Sequence, residues 1–294
     1  MNTKSKLGVL SQHRNFKKSL VLIFVITSSL IWFSFWFYGR YYLSTDDAYL
    51  NANVVQIAPR ITGQISNLHI HNNQYVKKDE LLIELDPKPF QIAVDQAKAQ
   101  LKMNQSTWKN ALLIATRVAA LVKKKYSSQQ EGDNAITALE NATAAVDLAK
   151  ANLAQAELNL KYTQIYAPIS GWVTNLGLRE GDITPANQSV FALISDEEFW
   201  VDANFKETEL EIIHAGMSAV ITTDLYPHHP FQGVVESISN GTGTVFSLLP
   251  PQNATGNWVK ITQRIPVRVR ILDADATHPL RIGTSSTVTI HIHG

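Results

Sequence analysis

Between residues 89 and 161 the apolar positions fall alternately four and three residues apart: Phe90, Val94, Ala97, Leu101, Asn104, Trp108, Ala111, Ala115, Val118 and Val122. The spacing breaks across Ser127-Ser128-Gln129-Gln130-Glu131-Gly132-Asp133. It returns at Ala135, Leu139, Ala142, Val146, Ala149, Leu153, Ala156 and Leu160. Two sustained heptad seams divided by a short polar stretch predict an antiparallel helical coiled coil. Pro89 suits a first helical turn, where its missing N–H leaves nothing unpaired. Gly132, the only glycine between Gly63 and Gly171, marks the expected chain reversal. Alanines in the seams permit close approach, and Asn104, the one polar seam position, is expected to fix the register while lowering stability. At 1.5 Å per residue the first helix would be roughly 55 Å long, a rod and not the core of a compact domain.

On either side of the rod the period changes to two. Val54-Val55-Gln56-Ile57 and Gly63-Gln64-Ile65-Ser66-Asn67-Leu68-His69-Ile70 read as half-buried strands, followed by Gln74-Tyr75-Val76 and Leu81-Leu82-Ile83-Glu84-Leu85. Beyond the second helix these segments have an echo. Ala58-Pro59 and Gly63 to Ile70 match Ala167-Pro168 and Gly171 to Leu178, Gln74-Tyr75-Val76 matches Asp182-Ile183-Thr184, and Leu81-Leu82-Ile83 approximately matches Phe191-Ala192-Leu193. A half-domain unable to bury its own face pairs with its copy. One β-sandwich with the coiled coil inserted between its halves is therefore predicted, and such an insertion is easy because a hairpin begins and ends in one place. From Phe199 onward strand candidates follow at 199–205, 218–222, 233–238, 265–271 and 286–292, as in a small barrel. A short helix is expected near 206–213, and 241–256, with Pro250-Pro251, reads as a long loop.

Composition changes the picture in one place. The stretch 20–38 carries no charge and ends in Trp32, Phe33, Phe35, Trp36, Phe37 and Tyr38, long enough to cross a bilayer with aromatic residues at one interface. Lys4, Lys6, Arg14, Lys17 and Lys18 precede it, so the N-terminus is expected in the cytoplasm and the rest of the chain outside. Its length, and the lack of a small-x-small site after it, favour an uncleaved anchor over a signal peptide. A net charge of +1 gives no sign of nucleic-acid binding, and the absence of cysteine removes disulfides, thiolate metal sites and cysteine nucleophiles. His69 with His71, His291 with His293, and His228-His229 are possible metal pairs, but none has a third ligand nearby in sequence, so no metal is expected. Asp46-Asp47 and Glu197-Glu198 read as solvated charges, and Lys123-Lys124-Lys125 as a solvated run close to the hairpin end. No phosphate-cradling loop or nucleophile elbow is present, so no cofactor and no enzymatic activity is expected.

An ordered set of fragments resembles the membrane fusion proteins, or periplasmic adaptors, of the HlyD family, in their EmrA-type branch. These are Ser44-Thr45-Asp46-Asp47-Ala48-Tyr49, Gln56-Ile57-Ala58-Pro59, Asn73-Gln74-Tyr75-Val76-Lys77-Lys78, Ala167-Pro168-Ile169-Ser170-Gly171-Trp172-Val173, Ala203-Asn204-Phe205-Lys206-Glu207-Thr208-Glu209-Leu210 and 257–267. Asp79 departs from the family, which commonly has glycine there. The resemblance implies an elongated multi-domain α+β chain: a transmembrane helix, a lipoyl-like β-sandwich split by an antiparallel α-helical coiled-coil hairpin, and a C-terminal β-barrel. The expected division is 1–18 cytoplasmic, 19–38 transmembrane, 39–52 connector, 53–86 first sandwich half, 87–161 hairpin, 162–195 second half and 196–294 barrel. It further implies an inner-membrane exporter, favoured as major-facilitator type, a TolC-like outer-membrane channel, and self-association as trimer or hexamer. Arg117, Leu121 and Ser128 have the spacing that such adaptors use at the tip to dock the channel. The bland reading of the same residues is a solvated Arg, a seam-flanking Leu and a cap Ser. An adaptor for peptide or protein secretion, a membrane-anchored spacer and a lipoyl or biotin carrier are the alternatives. The carrier is disfavoured because the turn that would bear its lysine is replaced by helix.

Overall fold

In the computed structural model, which describes residues 26–30, 32, 41–242, 260–275 and 277–292, the heptad seams fold into two long helices. These are α1 (Lys88–Lys123) and α2 (Gln129–Lys161). Every seam position named above is buried or half-buried, while nearly all others on the two helices face solvent. The one polar seam residue makes a cross-helix contact: Asn104 Nδ2 donates to the Ala145 carbonyl at 3.1 Å. Four residues on, Trp108 Nε1 donates to Thr143 Oγ1 at 3.1 Å. These bonds are satisfied in one register only, which is how a polar seam residue selects alignment.

The chain divides into two units, Val54–Glu197 and Met1–Asn53 with Glu198–Gly294. The first holds the hairpin and the sandwich. The first copy of the echo supplies β2 (Gly63–Leu68), β3 (Tyr75–Val76) and β4 (Leu81–Leu85). The second supplies β5 (Gln164–Tyr166), β6 (Gly171–Thr174), β7 (Ile183–Thr184) and the start of β8 (Phe191–Lys206). The copies exchange partners: β2 pairs with β7 and β3 with β6, Gly63 opposite Thr184 and Gly171 opposite Val76. The backbone bonds are reciprocal too. Asn73 N–H donates to Val173 O and Gly181 N–H to Ile65 O; Asp79 N–H donates to Ala167 O and Asn187 N–H to Pro59 O. Left-handed backbone recurs at matching places, Asn73 with Gly181 and Asp79 with Asn187. Asp79 has φ 64°, so this residue adopts the conformation a glycine would take, which Asp tolerates better than most side chains. Ile57, Ile65, Val76, Leu82, Leu85, Val173, Phe191 and Leu193 form the shared core.

The second unit is a closed barrel. Its strands run in the order β1 (Tyr42–Ile57), β12 (Ser285–His291), β9 (Ser218–Thr223), β10 (Phe231–Ile238), β11 (Arg264–Ile271) and β8, which pairs back onto β1. Period-two alternation fills it: Phe199, Val201, Ala203 and Phe205 from β8 meet Ala219, Ile221, Val267, Val269, Val288 and Ile290. Residues 42–52, expected as a connector, are instead a barrel strand with Ala48, Leu50 and Ala52 inward. Small inward side chains made that alternation faint in the sequence. Asp47, expected as a solvated charge, pairs with Arg264 at 2.6 Å and accepts from Asn204 Nδ2 at 3.2 Å. The helix expected near 206–213 is a short 3-10 helix, Glu207–Ile212.

The apolar stretch 20–38 lies outside the described residues apart from 26–30 and 32, which are helical. No helix among the described residues is long and apolar enough to cross a membrane. Most of the expected loop 241–256 also lies outside them.

Candidate functional site: the hairpin tip

The reversal between α1 and α2 is tighter than the sequence suggests and lies elsewhere. Lys124 caps α1 and Lys125 takes the left-handed conformation at φ 61°. Lys125 N–H then donates to Val122 O, and Tyr126 N–H to Leu121 O, both at 2.9 Å. This pair of bonds is the Schellman arrangement, here built on lysine where glycine is usual. Gly132, expected at the reversal, is inside α2. Ser128 starts that helix first: its Oγ accepts from Glu131 N–H at 3.2 Å, and Glu131 Oε2 accepts from Ser128 N–H at 3.1 Å. Such a capping box satisfies two otherwise orphaned donors. A Cβ at Gly132 would stand 3.4 Å from Val122 Cγ2, an ordinary contact, so neither the turn nor the packing requires glycine there.

Of the three residues singled out by spacing, Arg117 and Leu121 are exposed one turn apart on α1, Leu121 at 45%. Ser128 is on the partner helix and is engaged as its cap. Its oxygen accepts, so its hydroxyl proton remains a donor to anything meeting the tip. Tyr126 was missed by spacing and is 81% exposed, an aromatic ring at the very turn. An aromatic residue inside an otherwise polar turn was the available signal. Lys123, Lys124 and Lys125 are exposed beside it. On the opposite side, the Ser127 hydroxyl and then the Ser128 N–H hold the Glu131 carboxyl below its ordinary range. The tip therefore presents cations, an apolar knob and a phenol ring on a turn fixed from both ends.

Other groups suspected from sequence are dispersed. His69 pairs with Glu84 at 3.5 Å, and the ring of His291 meets Tyr42 edge-on. Glu197 and Glu198 are exposed. His229 is brought beside Asp275 and His278 on a separate loop, a grouping that no spacing in the sequence could show.

A hairpin inserted into a two-copy β-sandwich, in a chain that also forms a closed barrel, is the architecture of a membrane fusion protein. Residues 53–196 match the barrel-sandwich hybrid domain of RND membrane fusion proteins, and residues 198–291 match the AAEA-like β-barrel domain. The chain is 32% identical over 324 residues to the multidrug export protein EmrA of Haemophilus influenzae, covering 93% of this chain and 82% of that protein. It is 32% identical over 330 residues to the colistin resistance protein EmrA of Acinetobacter baumannii, covering 93% of each. The fold is shared with a MacA-MexA chimeric protein carrying the Pseudomonas aeruginosa MexA α-hairpin domain, at a TM-score of 0.63 and 23% identity over 86% of this chain and 82% of that one. The chain belongs to the HlyD family of membrane fusion proteins, in its EmrA-type branch.

Proposed function

We propose that the chain is the periplasmic adaptor of a drug efflux system, coupling an inner-membrane exporter to a TolC-like outer-membrane channel. The observation that carries this reading is a family-typical hairpin whose closed tip leaves Arg117 and Leu121 exposed beside a cap hydroxyl. The segment 19–38 anchors the chain in the inner membrane with its N-terminus cytoplasmic and the remainder periplasmic. The exporter is of major-facilitator type and supplies the energy; the adaptor performs no chemistry. A single hairpin is too thin to enclose a passage, so the working form is a trimer or hexamer. At the tip, Arg117 offers a fork of donors to carbonyls, Leu121 fills an apolar groove, and the Ser128 hydroxyl donates a hydrogen bond. Tyr126 and the neighbouring lysines widen the same contact.

The test is a strain lacking the gene, complemented with the wild-type chain or with Arg117→Asp and Leu121→Asp together. Loss of drug resistance and of cysteine crosslinks between tip and channel is expected, with exporter copurification retained. Unchanged resistance and unchanged crosslinking refute the docking assignment. Lost copurification of any exporter by the wild-type chain refutes the adaptor reading itself.

A further inference from the structure

His229 lies between β9 and β10, while Asp275 and His278 lie between β11 and β12. Both loops leave the same end of the barrel. They are tied together by the Leu272 N–H donating to Gln232 O at 2.9 Å and the Gln232 N–H donating to Asp273 Oδ1 at 2.8 Å. One ligand atom from each of His229, Asp275 and His278 can be chosen so that all three lie within 4.8 Å of one another. The two imidazoles are stacked, with centroids 3.9 Å apart and planes 20° from parallel. Other rings lie against them: Phe231 meets His229 edge-on and Tyr226 meets His278 edge-on.

The hydrogen bonds divide the carboxylate into a structural and a spare oxygen. Asp275 Oδ1 accepts from the Thr277 N–H at 2.8 Å, the Thr277 hydroxyl at 2.7 Å and the His278 N–H at 2.7 Å. Oδ2 takes none of these. It stands 3.2 Å from His278 Nδ1 and 3.9 Å from His229 Nε2. His278 Nδ1 is also 3.2 Å from Oδ1 and 2.9 Å from Thr277 Oγ1. His229 Nδ1 is shut away from solvent with no hydrogen-bond partner. It is Nε2, not this nitrogen, that faces Asp275 Oδ2, so Nε2 is the atom His229 offers to a cation. Two imidazoles and a carboxylate are ligands for a borderline transition cation, whereas magnesium and calcium select all-oxygen sites. Ligand atoms around a tetrahedral zinc ion stand roughly 3.3 Å apart at ordinary bond lengths, and the ion lies in the plane of each imidazole, so ligation requires the two stacked rings to rotate off each other about their side-chain torsions.

We infer that His229, Asp275 and His278 form a binding site for a divalent first-row transition cation such as zinc, bridging the β9–β10 and β11–β12 loops of the barrel. The three ligands leave one position of a tetrahedral ion open to water. The site is independent of the hairpin tip and of the adaptor reading.

The test uses the full chain, purified in detergent without a polyhistidine tag and stripped with chelator. Zinc is titrated against a chromophoric chelator, with magnesium in millimolar excess. One zinc per chain is expected. His229→Gln and His278→Gln should each weaken it at least about tenfold, and His228→Gln, in the exposed neighbour, should change it less than twofold. Because a variant could disturb the loops, zinc protection is also read on the wild-type chain by diethylpyrocarbonate modification and mass spectrometry. His229 and His278 should be protected, and His69 and His71 not. Zinc held equally by the wild type and both ligand variants, zinc lost equally with His228→Gln, or no protection of His229 and His278 overturns the inference. The three side chains then form a turn held by hydrogen bonds alone.

Discussion

Substituting Gly171 by alanine tests the closest approach in the sandwich. A Cβ at this position would lie 2.0 Å from the Ile194 carbonyl oxygen and 2.8 Å from its carbon. Both are backbone atoms, so no rotamer change relieves the overlap. β8 must retreat from β6, and the pairs Gly171–Ser195, Trp172–Ile194, Val173–Leu193 and Thr174–Ala192 open in turn. Two or three ladder bonds at about 1 kcal/mol each, with about 1–3 kcal/mol of overpacking, give a loss of roughly 3–6 kcal/mol. For a unit of this size that lowers the melting temperature by roughly 6–24 °C. The assay is thermal unfolding of the full chain in detergent followed by near-ultraviolet circular dichroism, where Trp172 reports on β6. Gly177→Ala is the control, since nothing lies within 4 Å of its Cβ position. If Gly171→Ala melts within 2 °C of the control, close backbone packing is not why glycine stands in this motif.

Gly132→Ala should raise hairpin stability by up to about 1 kcal/mol, because the site is helical and alanine is the better helix former; a lower melting temperature would place the glycine in a turn after all. Ser128→Ala removes the cap of α2 and should cost about 1 kcal/mol, with faster amide exchange confined to residues 129–132; exchange spread along the whole helix contradicts this. Glu131 has a folded pKa below its unfolded value, so its contribution is fully present above the ordinary carboxylate range and disappears as pH falls through the folded value. Exchange at the start of α2 should therefore rise on acidification below about pH 4 in the wild type. In Glu131→Gln it should be pH-independent once intrinsic rates are corrected, and parallel profiles would remove the capping box from the explanation. Asn104→Ala loses the bond to Ala145 O and should allow engineered cysteine pairs to crosslink out of register; crosslinking in the native register alone would show that the apolar seam suffices.

Most of the fold was legible because its signals are periodic. A heptad seam survives any single substitution, and the two copies of the sandwich announce each other through Ala-Pro and Gly at matching places. What escaped was carried by single residues or by distant pairs. The strand at 42–52 turns alanines inward at 48 and 52, which weigh little in a hydrophobic pattern. Glycine is a chain breaker and so points to Gly132 for the reversal, yet Lys125 takes the left-handed conformation and Ser128 with Glu131 fixes where the next helix begins. At the tip, spacing found Arg117, Leu121 and Ser128 but not Tyr126, whose exposure follows from the turn geometry. His229 meets Asp275 and His278 only because β9, β10, β11 and β12 are neighbours in a closed sheet.

The pairing of Tyr42 with His291 at the outside, of β2 with β7 within it, and of α1 with α2 innermost gives the chain the form of nested parentheses. Synthesis proceeds from one end, so the innermost bracket is the first that can close and the outermost is the last. The coiled coil can zip as soon as residue 161 has emerged, and its closure delivers the two sandwich copies to each other without a long search. The strand beginning at Tyr42 must wait, its edge unpaired, until residues 285–291 arrive. A lesion in the strand at 285–291 would thus leave the strand beginning at Tyr42 paired along one edge only, with β8, although most of the chain separates the two.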